Sequence, residues 1–142
     1  SLEEFINTGI PIHSDISNQL ITNIFIPNTP LHDGAVIIRD YKIAAAACYL
    51  PLSENKMIPK ELGTRHRAAI GLSEVSDAIT IIISEETGKV SVAIREKLHR
   101  ELSSSELVEV LSEQLVVEDQ GDAEPTIVRW VRDFFKGGRS NG

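Results

Sequence analysis

The chain has 142 residues, of which 42% are hydrophobic and 25% charged, a composition typical of a globular protein and not of a disordered or fibrous one. Its net charge of −7 excludes a broad surface for nucleic acid or acidic membranes, because such surfaces need an excess of lysine and arginine, so any anion site must be local. A single cysteine, Cys48, excludes an internal disulfide, and its apolar neighbours predict a buried, inert thiol in a reducing, cytoplasmic setting.

The first half of the chain predicts a helix, a loop and a hairpin. Apolar residues at helical spacing predict a helix over Asp15–Phe25, with Ser14 or Asp15 as its N-cap. The segment "IPNTPLHDG" (26–34) contains two prolines, an asparagine and a glycine, so we expect a loop. Two strands, "AVIIRD" and "KIAAAACYL", follow as a hairpin with a polar turn over Arg39–Lys42. The small side chains of the second strand predict that another element packs closely over it.

The next segment predicts a short helix and two further strands. Arg65–Glu74 fits a helix, and Thr64 is a natural N-cap for it. The stretches "AITIIIS" (78–84) and "KVSVAIR" (89–95) predict strands joined by "EETG", in which Gly88 supplies the positive φ of a tight turn. No apolar run approaches the roughly 20 residues of a membrane span, and no signal-peptide pattern is visible.

The last third predicts two helices separated by an acidic linker. Ser103 and Glu106 form the pattern of a capping box before an apolar helical stripe. A second stripe around Trp130 predicts a packing helix, and the tail "KGGRSNG" is predicted to be mobile. Because strands alternate with helices, we expect an α/β fold in which a mixed central β-sheet is flanked by helices, in a single globular domain.

Polar residues suited to chemistry occur in three clusters, each at the end of a predicted element. Phosphate loops, dinucleotide-binding loops, zinc-protease motifs and nucleophile elbows are absent from the sequence. The three clusters are His32-Asp33-Gly34 at a loop-to-strand junction, Gly63-Thr64-Arg65-His66-Arg67 at a helix start, and Ser84-Glu85-Glu86-Thr87-Gly88 at a strand end.

Each cluster taken alone also has a purely structural interpretation. Asp-Gly before a strand is often only a turn, and Glu-Glu-Thr-Gly between strands is usually a solvated hairpin tip. Cations in the first turn of a helix are unfavourable unless an anion joins them, since the positive end of the helix dipole lies there. In combination, backbone N–H groups, guanidinium groups and hydroxyls suit a polyphosphate, whereas carboxylates and a histidine suit the divalent metal that accompanies one.

The motifs "DGA" (33–35), "GTRHRAA" (63–69) and "SEETG" (84–88), in this order, resemble the diadenylate cyclase domain family. The stretches "NIFIPNTPLHDGAVII" and "LPLSENKMIPKELGTRHRAAIG" are most similar to the membrane-anchored cyclases of Gram-positive bacteria, and the resemblance runs from about residue 5 to about residue 115. It implies a mixed sheet flanked by helices. It also implies that two such domains face each other, each with one ATP, and release two pyrophosphates as they form cyclic di-AMP.

The resemblance also implies a role for each matching residue. Asp33 and Gly34 match the family's Asp-Gly, near the ribose 3′-hydroxyl and the attacked phosphate. Arg65, His66 and Arg67 match its Arg-His-Arg, which holds the phosphates of ATP, and these five residues are the expected catalytic set. Further expected ATP contacts are Tyr49, Leu50, Gly63, Thr64, Ser84 and Glu85. The expected ligands of a divalent metal ion (Mn²⁺, Mg²⁺ or Co²⁺) are His32, Asp33 and Glu86.

The resemblance also sets expectations for the organisation of the protein. Residues 1–120 are expected to be the catalytic domain, trimmed at its N-terminus, and residues 121–142 an acidic linker, a helix and a tail. Members of this type carry transmembrane helices ahead of the domain, so we expect a cytoplasmic domain of a membrane-anchored protein, without membrane contact of its own. The expected partners are ATP and a second copy of the domain, with a regulatory protein as a further possible partner and no nucleic acid.

Two other functions stay open on the residues alone. A non-catalytic module that binds ATP or cyclic di-AMP as a sensor would use the same polyphosphate site, but it would leave Asp33 without a role. A metal-dependent hydrolase built on His32, Asp33 and His66 would lack any recognised metal-ligand spacing. The products formed from ATP in the presence of Mn²⁺ distinguish the three hypotheses.

Overall fold

Helices and strands alternate along the part of the chain that the computed structural model describes, which comprises residues 1–84 and 87–115. In chain order these elements are α1 (Glu3–Ile6), β1 (Ile10–Asp15), α2 (Asn18–Ile24), β2 (Ala35–Arg39), β3 (Lys42–Cys48), α3 (Thr64–Val75), β4 (Thr80–Ile83), β5 (Val90–Ile94), β6 (Lys97–Leu102) and α4 (Ser104–Leu115). The strands form two three-stranded sheets with the orders β1–β3–β2 and β4–β5–β6. The predicted α/β fold is confirmed.

The hairpin formed by β2 and β3 has the two-residue turn that its sequence indicates. The strands are antiparallel, and Arg39 lies opposite Lys42. Asp40 and Tyr41 between them both have positive φ, 54° and 63°. Two consecutive positive φ angles are typical of the type I′ turn, whose twist matches that of the strands it joins. The predicted hairpin is therefore confirmed, and the loop predicted over 26–34 precedes it without helix or strand.

The alanine-rich strand β3 lies at the centre of the first sheet and is closely covered. Ala45 and Ala46 are fully buried, and Ile6 of α1 packs in the same apolar cluster as Ala45 and Cys48. At Gly9, just before β1, a Cβ atom would lie 2.4 Å from Cys48 Sγ, so only glycine fits there. The predicted close packing is confirmed. Burial also raises the pKa of the Cys48 thiol, as expected for a buried cysteine.

The helix α2 begins later than its sequence pattern indicates. Ser17 is the N-cap: its backbone is extended, and its Oγ accepts a hydrogen bond of 3.1 Å from the N–H of Leu20. The prediction of Ser14 or Asp15 as N-cap was wrong, because both residues belong to β1. The Asp15 carboxylate accepts a hydrogen bond of 3.1 Å from Lys42 Nζ on the neighbouring strand. Strand pairing thus uses residues that the apolar periodicity had assigned to the helix.

Two strands, β1 and β6, were not predicted, and both lie at sheet edges. β1 contains Pro11, and β6 is mostly charged and exposed, so neither strand has a uniform apolar face. By contrast, all five residues of the central strand β5 are buried. The edge strands β2 and β4 consist almost wholly of apolar residues and were predicted, so the sequence signal followed apolar composition and not the position of a strand in its sheet.

The chain divides into two compact units. The first comprises Ser1–Ile82 with Ala93–Leu98, and it contains the first sheet and α3. Here Ala69 of α3 packs with Ile82 and Ala93 in one buried cluster. A second cluster of this unit consists of Ile58, Leu62 and Ile70.

The second unit comprises Ile83–Val92 and the residues from His99 onward, and it contains α4. Ser103 Oγ accepts the N–H of Glu106 at 3.1 Å, and the Glu106 carboxylate accepts the N–H of Ser103 at 3.0 Å. The predicted capping box is confirmed, and its hydrogen bonds lower the pKa of Glu106.

Several predictions fall on residues outside the described ranges. These are Glu85 and Glu86, the acidic linker, the helix around Trp130 and the C-terminal tail. The division at residue 120 stays a prediction for the same reason. Across residues 1–84 and 87–115, none of the helices combines the length and the apolar character needed to span a bilayer.

Candidate functional site

The first cluster, at the junction from loop to β2, is built around Gly34. Gly34 has a φ of +120°, and a Cβ atom there would lie 2.7 Å from the carbonyl carbon of Ala47 and 2.8 Å from the carbonyl oxygen of Cys48. Both the φ angle and the contact with backbone therefore require glycine. Asp33, directly before it, is exposed. Asp33 thus precedes a glycine whose backbone lies against β3, and it is accessible to a solute.

Strand β3 carries a bulge at the point where Gly34 approaches it. Ala35 pairs with Cys48 and Ile37 pairs with Ala45, so β3 has one residue more than β2 over this interval. Ala47 lies in the bulge with a φ of 54°. Bulges bend a strand and redirect the residues that follow, and they are common beside active sites. The residue that follows β3, Tyr49, is 71% exposed.

The segment 49–53, which follows β3 in the chain, is hydrogen-bonded to Thr8 at one end and to the helix α3 at the other. The N–H of Tyr49 donates a hydrogen bond of 2.8 Å to Thr8 Oγ1. At the other end, the N–H of Ser53 donates one of 2.9 Å to the carbonyl of Arg67. The first cluster, the predicted ATP contacts Tyr49 and Leu50, and the helix start are therefore linked by continuous contacts within one unit.

The second cluster forms the first turn of α3. Gly63 is the N-cap, with an extended backbone (φ −88°, ψ −166°), and its carbonyl accepts the N–H of Arg67 at 3.2 Å. Thr64 is thus the first residue inside the helix, and its prediction as N-cap was wrong. Gly63, the residue before it, has the backbone angles that an N-cap requires. A Cβ atom at Gly63 would have no other atom within 4 Å, so the position is open to solvent.

Positive charge is concentrated at this helix start. Arg65 is exposed, and His66 and Arg67 are half-buried. The helix dipole adds partial positive charge at the same place, and no acidic residue in the first turn offsets it. An arrangement of this kind is stabilised by a bound polyanion, so it supports the predicted phosphate contacts of the two arginines.

Ser84 and Gly88, the two ends of the third cluster, lie between β4 and β5 in the second unit. The N–H of Ser84 donates to the Lys89 carbonyl at 2.9 Å, and the N–H of Gly88 donates to the Ser84 carbonyl at 2.9 Å. Gly88 has a φ of 71°, which confirms the predicted positive φ. The roles of Ser84, Glu85 and Glu86 toward ATP or metal stay predictions.

The predicted metal ligands are only partly described. His32 is half-buried, and its backbone N–H donates to the Thr29 carbonyl at 3.1 Å. Within residues 1–84 and 87–115 no group of three or more histidine, cysteine, aspartate or glutamate side chains is placed to hold a metal ion. A nucleotide-bound Mg²⁺ needs only one or two protein carboxylates besides phosphate oxygens. The exposed carboxylate of Asp33 is compatible with that requirement.

Comparison with known proteins identifies the family. Residues 1–98 match the family described as the DisA bacterial checkpoint controller nucleotide-binding (DAC) domain. The chain belongs to this diadenylate cyclase domain family. The match covers more than half of the chain, including the first and second clusters and the strand end that carries the third.

Named relatives of the DAC family are similar over most of this chain. Cyclic di-AMP synthase CdaA of Bacillus subtilis is 65% identical over 108 residues, which cover 76% of this chain and 40% of that protein. A diadenylate cyclase of Listeria monocytogenes is 57% identical over 115 residues, which cover 81% of this chain and 42% of that protein. The chain therefore spans about two fifths of the length of these relatives.

Two solved structures are similar to this chain in fold and in sequence. The crystal structure of a double mutant of DacA from Staphylococcus aureus is 56% identical, with a TM-score of 0.79 over 82% of this chain and 78% of that chain. A structure from Bacillus cereus described as a hypothetical membrane spanning protein is 46% identical, with a TM-score of 0.69 over 72% of this chain and 50% of that one. These similarities confirm the fold class.

We predict that Gly34→Ala destabilises the protein more than Gly88→Ala does. Both glycines have positive φ, but only a Cβ at Gly34 would meet backbone atoms, whereas nothing lies within 4 Å of one at Gly88. The expected losses in free energy of unfolding are about 2–4 kcal/mol for Gly34→Ala and about 1 kcal/mol for Gly88→Ala. Urea denaturation of both variants measures this difference. Equal losses in free energy of unfolding would contradict a steric role for the contact of Gly34 with Ala47 and Cys48.

Proposed function

We propose that this chain is the catalytic domain of a diadenylate cyclase, which condenses two molecules of ATP into cyclic di-AMP and releases two pyrophosphates. The observation that carries the proposal is that exposed Asp33 precedes Gly34, which lies against the end of β3, while the segment 49–53 that follows β3 is hydrogen-bonded to the cationic start of α3. The proposal is further supported by relatives at 57% and 65% identity whose names state this activity. In the proposed site, Tyr49 and Leu50 contact adenine, and Arg65 and Arg67 bind the triphosphate.

The proposed reaction places a nucleophile next to an acidic residue and an electrophile next to basic ones. The ribose 3′-hydroxyl is a poor nucleophile, so it needs an acceptor for its proton within hydrogen-bond distance, and Asp33 supplies one. The hydroxyl oxygen attacks the α-phosphorus of the other ATP, and the bond to pyrophosphate breaks with its electron pair on the leaving group. Arg65 and Arg67 stabilise the negative charge that develops on the phosphates.

A divalent metal ion is part of the proposal. We infer that Asp33, with His32 beside it in the sequence, holds Mn²⁺, Mg²⁺ or Co²⁺ together with phosphate oxygens, and Glu86 stays a ligand predicted from the sequence. When bound, the ion supplies further neutralisation of phosphate charge. Carboxylate oxygens are suitable ligands for Mg²⁺ and Mn²⁺, and imidazole extends the set toward softer ions.

Ring closure requires two copies of the site. Each ATP contributes one 3′-hydroxyl and one α-phosphorus, so two sites related by a twofold axis supply both pairs of reacting groups. We therefore propose a homodimer as the active form. We also propose that the full-length protein is anchored in the membrane outside this segment, a view supported by the description of the Bacillus cereus relative as membrane spanning.

Incubation with ATP and Mn²⁺, followed by chromatographic separation of the nucleotides, tests the proposed function. We expect cyclic di-AMP and pyrophosphate as the products. ADP or AMP would instead support a hydrolase, and unchanged ATP in the presence of measurable ATP binding would support a sensor.

Dilution of the same reaction tests the dimer. Because the product requires two facing sites, the turnover per protomer is expected to fall once the protein concentration drops below the dissociation constant of the dimer. A turnover per protomer that stays constant well below the concentration at which any dimer is detected would rule out the face-to-face mechanism.

The two arginines are expected to act on phosphate and not on the base. Arg65→Ala and Arg67→Ala should each weaken ATP binding by about 10- to 100-fold, since each loses charge-assisted hydrogen bonds, and should leave adenosine binding nearly unchanged. Isothermal titration calorimetry with both ligands measures the two affinities. Arg39→Ala is the matched control, because Arg39 is an exposed arginine paired with Glu3 on a different part of the first unit. Equal losses for ATP and adenosine would refute the phosphate role.

Asp33 is expected to matter for product formation more than for binding. Asp33→Asn is nearly isosteric and keeps a residue suited to a turn, so the fold and most of the ATP affinity should be retained. The rate of cyclic di-AMP formation should fall by about 10²- to 10⁴-fold, as is typical when a general base is removed. Circular dichroism, ATP titration and product assay on the same variant provide the test. A folded variant that forms product at near the parent rate would show that Asp33 is only a turn residue.

A further inference from the structure

Ser53 is a buried residue in the connection between β3 and α3, and it makes two separate hydrogen bonds to α3. Only 5% of its surface is exposed. Its N–H donates to the carbonyl of Arg67 at 2.9 Å, and its Oγ donates to Glu74 Oε2 at 3.1 Å. The same Oγ accepts the N–H of Asn55 at 3.2 Å, so the hydroxyl is used both as donor and as acceptor. Ser53 thus bonds its own loop to the helix through both its backbone and its side chain.

The helix is shaped to receive this segment at close range. At Gly71 a Cβ atom would lie 1.9 Å from the Pro51 carbonyl oxygen and 2.9 Å from the backbone nitrogen of Ser53. Any larger residue would push the segment away from α3. Arg67, Gly71 and Glu74 are spaced four and three residues apart, so they lie on one face of the helix. That face holds the segment by a backbone bond, a close backbone contact and a side-chain bond.

The contact joins the two ends of the proposed ATP site. The segment 49–53 begins with Tyr49 and Leu50, proposed to contact adenine, and ends at Ser53, which is bound to the carbonyl of Arg67. Arg67 in turn is proposed to bind phosphate. Its backbone carbonyl therefore binds the segment that carries the proposed base contacts, and its side chain is the proposed phosphate contact.

We propose that Ser53 is a positioning residue that fixes the separation between the base-binding segment and the triphosphate-binding start of α3. Through its bond to Glu74 and the close approach at Gly71, it makes the two half-sites one rigid unit that fits a nucleoside triphosphate of a set length. The inference rests on the proposed ATP site but goes beyond it, because Ser53 and Glu74 are not themselves assigned to nucleotide contact.

A second buried serine, which lies on α3 itself, offers a matched control. Ser73 is also 5% exposed, and its Oγ donates to the Ile70 carbonyl at 2.7 Å and accepts the N–H of Glu96 at 3.1 Å. It therefore loses a comparable hydroxyl on substitution, but its partners lie outside the segment 49–53. Ser53→Ala and Ser73→Ala should lower the melting temperature to a similar extent, and only Ser53→Ala should affect the coupling of the half-sites.

The experiment compares ATP with inorganic tripolyphosphate by calorimetric titration. Tripolyphosphate contacts only the phosphate end, so its affinity does not depend on where the base-binding segment lies. For Ser53→Ala we expect ATP binding to weaken about three- to tenfold, as for a lost buried hydrogen bond, while tripolyphosphate binding stays within about twofold of the parent. For Ser73→Ala both affinities should match the parent.

Variants at Glu74 provide an independent route that leaves Ser53 in place. Glu74→Gln and Glu74→Ala remove the same charge, but the amide oxygen of Gln still accepts the bond from Ser53 Oγ. Glu74→Gln should therefore keep the parent ratio of the two affinities, and Glu74→Ala should lower the ATP affinity selectively. This pair decides the question if Ser53→Ala does not fold.

The outcomes distinguish this inference from the proposed function. A parent protein that fails to bind ATP would refute the proposed function itself. A parent that binds ATP, with Ser53→Ala and Glu74→Ala binding it equally well, would overturn the positioning role alone. Parallel losses for ATP and tripolyphosphate would also overturn it, because they would show that Ser53 merely supports the helix.

Discussion

Close packing of backbone against β3 is the constraint on which the first unit depends. The strand has β1 and β2 as neighbours, and its alanines leave room for α1 on its surface. Gly9 and Gly34 approach its last residues at distances that no Cβ atom would allow. Because glycine and alanine have little or no side chain, the backbone segments on both sides of these contacts lie directly against each other. Asp33 directly precedes Gly34, so its backbone position is set by one of these contacts.

The same device recurs where the connection from β3 meets α3. Gly71 lets the Pro51 carbonyl lie against the helix, and Ser53 holds that contact with hydrogen bonds to Arg67 and Glu74. Two close backbone contacts, one at Gly34 and one at Gly71, thus connect an acidic residue, an exposed tyrosine and a cationic helix start. Rigid placement of this kind suits phosphoryl transfer, in which most of the catalysis comes from positioning and from neutralisation of charge.

The electrostatic design is local. The chain as a whole carries a charge of −7, so its surface does not attract a nucleotide by net charge. In the proposed site, the favourable interactions would come from Arg65, Arg67 and the dipole of α3, all within one helical turn. Binding of ATP to such a site depends on short charge-assisted hydrogen bonds and less on long-range steering. The protein can therefore be acidic and still bind a polyanion.

The sequence by itself determined the features that depend on neighbours along the chain. These include the turn at Asp40–Tyr41, the capping box of α4 and the family to which the motifs at 33–35 and 63–69 belong. Which partner a polar group binds, and which segments form edge strands, was decided only by the tertiary structure. Asp15 pairs with β3 instead of capping α2, the edge strands β1 and β6 form without a uniform apolar face, and Ser53 meets Glu74 across 21 residues. Local patterns fix local hydrogen bonds, whereas the partners of a buried serine or an edge strand exist only after the chain has folded.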